Sequence, residues 1–300
     1  MRALLASLRD GRGFDISLIS ITMTFLLLFC GVPLIYNAIM SFQEVDIFNL
    51  NTFIRPWVGF DNYRALFADA TTLPIFYNTL VFVFFSIAGQ FLVGFALALF
   101  FSLKFSGSTY LRGLFLVSWV MPGLVVGAIW NWILSGDFGI LNHVLKYIGV
   151  ISDNIFWRSD IHFSLWAVII ANIWLGTAFN MILLSVGLAA IPNDIYEAAQ
   201  LDGANAIQRF RTITLPMMRA TIGAVVSLGL IFTLQQFDLF AAITSGGPAN
   251  SSNVAQYRAW EMSFKEYDFA RGATISVLMI GVVMIASIIY VRSTKQEIRG

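Results

Sequence analysis

Six long apolar runs alternate with short polar stretches along the chain. They cover approximately 16–42, 75–101, 110–134, 162–187, 219–244 and 271–292. Each is long enough to cross a bilayer as a helix, which takes about 20 residues. The runs are continuously apolar, whereas the strands of a membrane barrel alternate between apolar and polar positions. The pattern predicts an all-α membrane protein with six transmembrane helices. A short segment, 1–15, precedes them, and a tail, 293–300, follows. The first run comes after Arg2, Arg9 and Arg12, as the core of a signal peptide would. It is longer than such a core and lacks a clear small-residue cleavage site, so it reads as a retained span.

One polar stretch differs from the others. "EAAQLDGANAIQRFRTITLP", Glu197 to Pro216, is charged and helix-like, and it lies between the fourth and fifth runs. Pro192 and Asn193 mark a helix start, and Asp194 and Glu197 put negative charge in its first turns, where the helix dipole favours it. Gly203 offers the left-handed conformation that ends a helix. Asn205 can then cap a second helix, with Gln208 three residues later as in a capping box. Ile207, Phe210 and Ile213 or Thr214 share one face of that second helix, with Gln208, Arg209 and Arg211 turned away. Pro216 is expected to close the unit. Two short helices about a glycine make a compact knob. Ala198 and Ala199 would let another backbone approach, and Glu197 can accept charge-assisted hydrogen bonds. The bland alternative is a membrane-surface helix with solvated charges.

Composition agrees with the membrane class. The 300 residues are 58% hydrophobic and 12% charged, against roughly 25% charged in soluble domains. A net charge of +1 gives no reason to expect a nucleic-acid partner. The single cysteine, Cys30, cannot form an internal disulfide and reads as a buried small hydrophobe. Lys and Arg set the orientation. With the N-terminus inside, the inside segments hold Arg2, Arg9, Arg12, Lys104, Arg112, Arg209, Arg211, Arg219, Arg292, Lys295 and Arg299. The outside segments hold Arg55, Arg64, Lys146, Arg158, Arg258, Lys265 and Arg271. Both termini and the knob are therefore expected on the cytoplasmic side.

Glu197-Ala198-Ala199, Gly203 after three more residues, Ile213 and Leu215-Pro216 resemble the EAA loop of ABC importer permeases. Other stretches resemble the carbohydrate-uptake, maltose-type branch of that family: "WVGFDNYRALF" at 57–67, "GGPANSS" at 246–252 and "DFARGATISVLMI" at 268–280. The likeness covers about 16 to 292. It implies a type I importer permease fold in the plasma (inner) membrane of a prokaryote, with an EAA loop at about 188–218. It also implies that Glu197, Ala198, Ala199, Asp202, Gly203, Leu215 and Pro216 dock on a cytoplasmic ATP-binding subunit, present as a dimer. ATP and Mg would bind there, and this chain would hold no cofactor and perform no hydrolysis. A second permease, an extracytoplasmic solute-binding protein, a sugar substrate and membrane lipid complete the implied partners. Alternating access is the implied mechanism.

In such permeases the spans flanking the EAA loop line the solute path. Asn172, Gly176, Phe179 and Asn180 fall on one stripe of the fourth span, and Gly229, Phe232, Thr233 and Gln236 on one stripe of the fifth. Amides, a hydroxyl and aromatic faces suit an uncharged sugar, and glycines leave room for it. The alternative is that these residues hold helices together, since small and polar residues gather at such interfaces. Asp238, an acid inside the fifth run near its outer end, reads as structural or gating. Trp130, Asn131 and Trp132 look like an interfacial aromatic belt. No phosphate-binding Gly-rich loop and no nucleophile–base pair is visible, and His143 and His162 have no metal-ligand spacing. An ion-coupled transporter would want internal repeats, broken helices and intramembrane charges, and an intramembrane enzyme would want a catalytic constellation. Neither explains the knob. The sequence leaves sugars, sugar alcohols and glycerol phosphates open as solutes, and the lack of a clear cation on the path argues mildly against phosphorylated ones.

Overall fold

The computed structural model describes residues 12–52, 54–103 and 105–297. Most of the 1–15 segment, the end of the 293–300 tail, Arg2, Arg9, Lys104 and Arg299 lie outside the described residues. In chain order the helices are α1 (Arg12–Leu26), α2 (Val32–Met40), α3 (Asp61–Ala68), α4 (Thr72–Ser102), α5 (Ser108–Val120), α6 (Gly123–Ile133), α7 (Ile140–Tyr147) and α8 (Ser164–Ala189). There follow α9 (Asn193–Leu201), α10 (Ala206–Arg209), α11 (Leu215–Met217), α12 (Arg219–Leu234), α13 (Asp238–Ile243), α14 (Ala255–Trp260) and α15 (Phe269–Glu297). Among the described residues there is no strand, only an isolated antiparallel bridge between Gln43 and Trp57.

Four helical stretches are unbroken and apolar enough to cross a membrane: Asp15–Met40, Thr72–Ser102, Ser164–Ala189 and Phe269–Ile288. The third apolar run, expected as one helix, is two. α5 and α6 meet at 100°. Met121 and Pro122 between them are extended, with ψ of 139° and 137°. The cause is chemical. Proline supplies no N–H to the helical ladder and pushes the residue before it out of the α region. The fifth run is also interrupted. α12 stops at Leu234, and after Gln235, Gln236 and Phe237 the chain restarts as the short α13. At its other end α12 is bent by 67° from the Ala206–Met217 stretch.

The chain forms two compact units. The first comprises residues 1–68 with 259–277. Here Met40 and Val45 pack on Ala270 and Ala273. The Asn62 amide donates to the Ser41 and Gln43 carbonyls, both at 2.9 Å, and so ties α3 to the end of α2. Arg55 is buried and its guanidinium is satisfied locally, by the Asn49 and Leu50 carbonyls and the Tyr36 hydroxyl. Cys30 is exposed, not buried. It sits in a π turn of the first span, whose most apolar window buries none of its residues within this chain.

The second unit comprises residues 69–258 with 278–300. Its centre is the pairing of α4 with α8. The buried residues of α4 step at three or four along one face, from Thr72, Ile75, Thr79 and Phe82 to Ser86, Gln90 and Gly94. Many are small, which lets two backbones come close where lipid offers no hydrophobic drive for association. A Cβ on Gly89 would fall 2.4 Å from Ile173, and one on Gly94 2.6 Å from the Asn180 Cβ. The 246–252 loop is knitted to the starts of α4 and α8. Asn78 donates to the Asn250, Ser251 and Asn253 carbonyls, each at 3.1 Å, and Ser164 meets Ser251 at 2.8 Å.

Candidate functional site

The knob between α8 and α12 is built as its sequence suggests, with differences at its end. Pro192 opens α9 in an extended conformation. α9 then closes on Gly203 at φ +81°. The Ala204 N–H reaches the Ala199 carbonyl at 2.9 Å, and the Gly203 N–H reaches that of Gln200 at 3.0 Å. This pair of bonds is a Schellman closure, which needs the left-handed residue that glycine provides. Asn205 and Gln208 form a reciprocal capping box at the start of α10. The backbone then widens into a π turn over Phe210–Thr214. Pro216 does not end the unit, because α11 continues through it and the bend falls at Met218.

One side of the knob is rooted. The Tyr196 hydroxyl and Thr214 Oγ1 lie 2.8 Å apart. Tyr196, Phe210, Ile213 and Leu215 pack on a cluster of Phe95, Ala98, Leu184, Ile191, Met218 and Val225. The other side is bare. Glu197, Ala198, Asp202 and Gly203 are exposed, and Ala199 and Pro216 are half-buried. Leu201 is 90% exposed and Ile207 67%. The expectation that Ile207 shares the packed face fails: Phe210, Ile213 and Leu215 pack on the cluster, and Ile207, in the first turn of α10, faces away from it. Glu197 and Leu201, four residues apart on α9, lie on one helix face.

Deeper in the same unit lies a cavity of about 310 Å³. Asn172, Gly176 and Phe179 of α8 line it, with Gly229, Phe232, Thr233 and Gln236 from the end of α12. The rings of Phe179 and Phe232 meet edge to face at 5.4 Å. Asn172 Nδ2 is buried and has no hydrogen-bond partner among the described residues, and neither does Gln236 Nε2. Such orphaned donors are costly in an apolar surround unless something binds them. A Cβ on Gly229 would meet nothing within 4 Å, so this glycine faces open space.

Asn180 does not line the cavity. It is buried against Gly94 of α4, and its amide donates to the Gly176 carbonyl at 2.9 Å. Its stripe position turns it toward the α4–α8 seam, where it packs closely on Gly94. Gly176 also differs from expectation. The room it leaves is taken by Gln90, whose amide carbon would lie 2.3 Å from a Cβ there. Gln90 donates to the Asn172 carbonyl at 3.0 Å.

Several lining residues were not singled out from the sequence. They are Gln90, Trp119, Met121, Gly123, Leu175 and Gln235; Asp238, read from the sequence as structural or gating, lines the cavity with them. Trp119 stacks on Phe179 with centroids 5.2 Å apart. Met121, Gly123, Gln235, Gln236 and Asp238 come from the two helix breaks. Irregular backbone at membrane depth is tolerated where it lines a cavity or is buried in protein. The Pro122-Gly123 pair was the sequence signal for one break. Asn131, placed in the aromatic belt, is also a clamp: it donates to the Ala242 carbonyl and accepts from Arg158, both at 2.6 Å. Among the described residues no group of three or more His, Cys, Asp or Glu could hold a metal ion.

Known proteins fit this arrangement. Residues 90–296, more than half of the chain, match the family model of the binding-protein-dependent transport system inner membrane component. The sulfoquinovosyl glycerol transport system permease protein of Agrobacterium fabrum is 30% identical, over 79% of this chain and 76% of that protein. The trehalose/maltose transport system permease protein of Thermococcus litoralis is also 30% identical, over 80% of this chain and 81% of that one. In fold, the chain is similar to one from a crystal structure of a bacterial ABC transporter that imports the acidic polysaccharide alginate. The TM-score is 0.78 and the identity 23%, covering 97% of this chain and 99% of that one. By its own sequence over the α4–α15 region, the chain belongs to the family of binding-protein-dependent transport system inner membrane components.

Proposed function

We propose that this chain is the membrane-spanning permease subunit of an ATP-driven importer in the inner membrane. It passes a sugar or related polyol from an extracytoplasmic binding protein to the cytoplasm by alternating access. One continuity carries the reading. α8, with Asn172, Gly176 and Phe179 on the cavity, runs straight into the knob, and the knob runs into α12, with Gly229, Phe232 and Thr233 on the same cavity. A push on the knob would therefore reach two walls of the cavity, because the knob packs on the helices that carry them.

The exposed face of the knob, with Glu197, Ala198, Ala199, Asp202 and Gly203, is the docking surface for a cytoplasmic ATPase subunit. Leu215 and Pro216 hold its base. ATP and Mg act on that partner, a dimer, and this chain holds neither. A second permease completes the pore, since the described residues of this chain supply at most six spans. ATP and the loaded binding protein must favour different states of the pore, because only differential affinity shifts a conformational equilibrium. The sugar class is supported by the named solutes of the two relatives and by the cavity's amides and aromatic faces. The test is uptake by the intact complex in vesicles. It should stop without ATP and survive collapse of ion gradients. Uptake that follows an ion gradient in the absence of ATP would refute the reading.

A further inference from the structure

The cavity contains a group that the path reading does not use. Asp238 opens α13 and faces the cavity between the two helix breaks. No Lys, Arg or His lines the cavity with it, and among the described residues no ion pair to Asp238 is formed. What lies against it is the start of α6. A Cβ on Gly123, the first residue of that helix, would fall 2.5 Å from Asp238 Oδ2. The first-turn N–H groups of a helix have no partners within it, and the helix dipole favours negative charge at that end. One turn further along, Gly127 packs on Ala242, so α6 and α13 are held together by small residues. The carboxylate thus lies at the cavity wall against the start of α6, and no side-chain cation shares that wall with it.

We propose that Asp238 gives the cavity its solute class: it accepts hydroxyl hydrogen bonds from an uncharged, hydroxyl-rich solute and repels anionic ones, whether uronates, sulfonates or phosphates. This rests on the reading of the cavity as the solute path. A sugar hydroxyl both donates and accepts, as a carboxylate cannot. Asn172 and Gln236 line the cavity and carry unpartnered amide nitrogens, covered here, which a side-chain rotation would offer to solute oxygens. Asp238 supplies the matching acceptor, and Phe179, Phe232 and Trp119 supply faces for the apolar side of a sugar ring. An anionic solute could bond the two amides but would meet the carboxylate with no cation in the cavity lining. Low-dielectric walls strengthen that repulsion.

The test reads the charge field of the cavity without knowing the solute. In the assembled, nucleotide-free complex, with Cys30→Ser, a Phe232→Cys reporter is treated with cationic and anionic methanethiosulfonate reagents of similar size. Thr233→Cys serves as a second reporter, and the exposed Tyr147→Cys as a control. Rates are normalised to those of a small free thiol. The cationic reagent should win by about tenfold at the cavity. Asp238→Asn should abolish that preference while leaving the ratio at Tyr147→Cys unchanged. Equal rates for both reagents, or a preference that survives Asp238→Asn, would overturn the charge filter and leave the path standing. Both cavity reporters staying unreactive while Tyr147→Cys reacts would show a cavity closed to water. That would overturn the path itself, and the filter with it.

Discussion

Gln90 lies in the space that Gly176 leaves, and from there donates to the Asn172 carbonyl at 3.0 Å. One glycine thus sets the position of a glutamine on a neighbouring helix and, through it, one wall of the cavity. Gly176→Ala should displace Gln90 and overpack the seam, at a cost of about 1–3 kcal/mol. Gly229→Ala adds the same methyl to open space, so it should leave the folded yield alone. Thermal melting of the two purified variants checks this. Equal melting temperatures would show that Gln90 is free to move.

Asn172 and Asn180 look alike on the sequence stripe and should behave differently. Asn180→Ala removes a buried amide from the α4–α8 seam, so complex yield should fall while the preference between two sugars stays the same. Asn172→Ala removes an unpartnered amide from the cavity wall. Its effect on uptake should be about tenfold or less, because a hydrogen bond to a neutral partner contributes about 0.5–1.5 kcal/mol. Yield should hold and sugar preference should shift. Uptake of two sugars by equal amounts of folded complex separates the cases.

The orientation rests on the Lys and Arg asymmetry and has its own check. Leu201 on the knob and Tyr147 at the end of α7 are both about nine-tenths exposed, at 90% and 92%. In a Cys30-free background, Tyr147→Cys should react with an impermeant thiol reagent added to intact cells, and Leu201→Cys should react only after the membrane is opened. The reverse pattern would turn the chain over and place the knob away from any cytoplasmic ATPase.

Much of this was readable in the chain, and the misses share a cause. Apolar runs locate the helices because burial in lipid demands continuous apolar length. Caps are local, so Gly203, Asn205 and Gln208 could be assigned from neighbours alone. Breaks inside an apolar run change hydropathy little. Pro122-Gly123 was the one available sign of the α5–α6 bend and went unread, and nothing in Gln235-Gln236-Phe237 marks the stop of α12 as firmly. The two breaks bring Met121, Gly123 and Asp238 to the cavity, so those residues were not grouped with it. Partner-dependent facts were also hidden. Whether Asn180 faces a cavity or Gly94 depends on α4, far away in sequence. Cys30 was expected to be buried because its run is apolar, yet a single chain leaves that face of the first span bare.

The central claim is that the knob transmits force between an ATPase and the cavity, and Gly203 tests it most directly. Its φ of +81° is open to glycine and, with modest strain, to asparagine. A side chain there would meet nothing within 4 Å in this chain, and asparagine, of similar bulk to valine, separates a backbone effect from bulk on the docking face. The measurement is solute-stimulated ATP hydrolysis by the assembled complex carrying Gly203→Val or Gly203→Asn, at matched yield. Gly203→Val should lose the stimulation, because a β-branched residue cannot hold the Schellman closure and the exposed face of α9 tilts. Gly203→Asn should keep most of it. Full stimulation in Gly203→Val would contradict the claim.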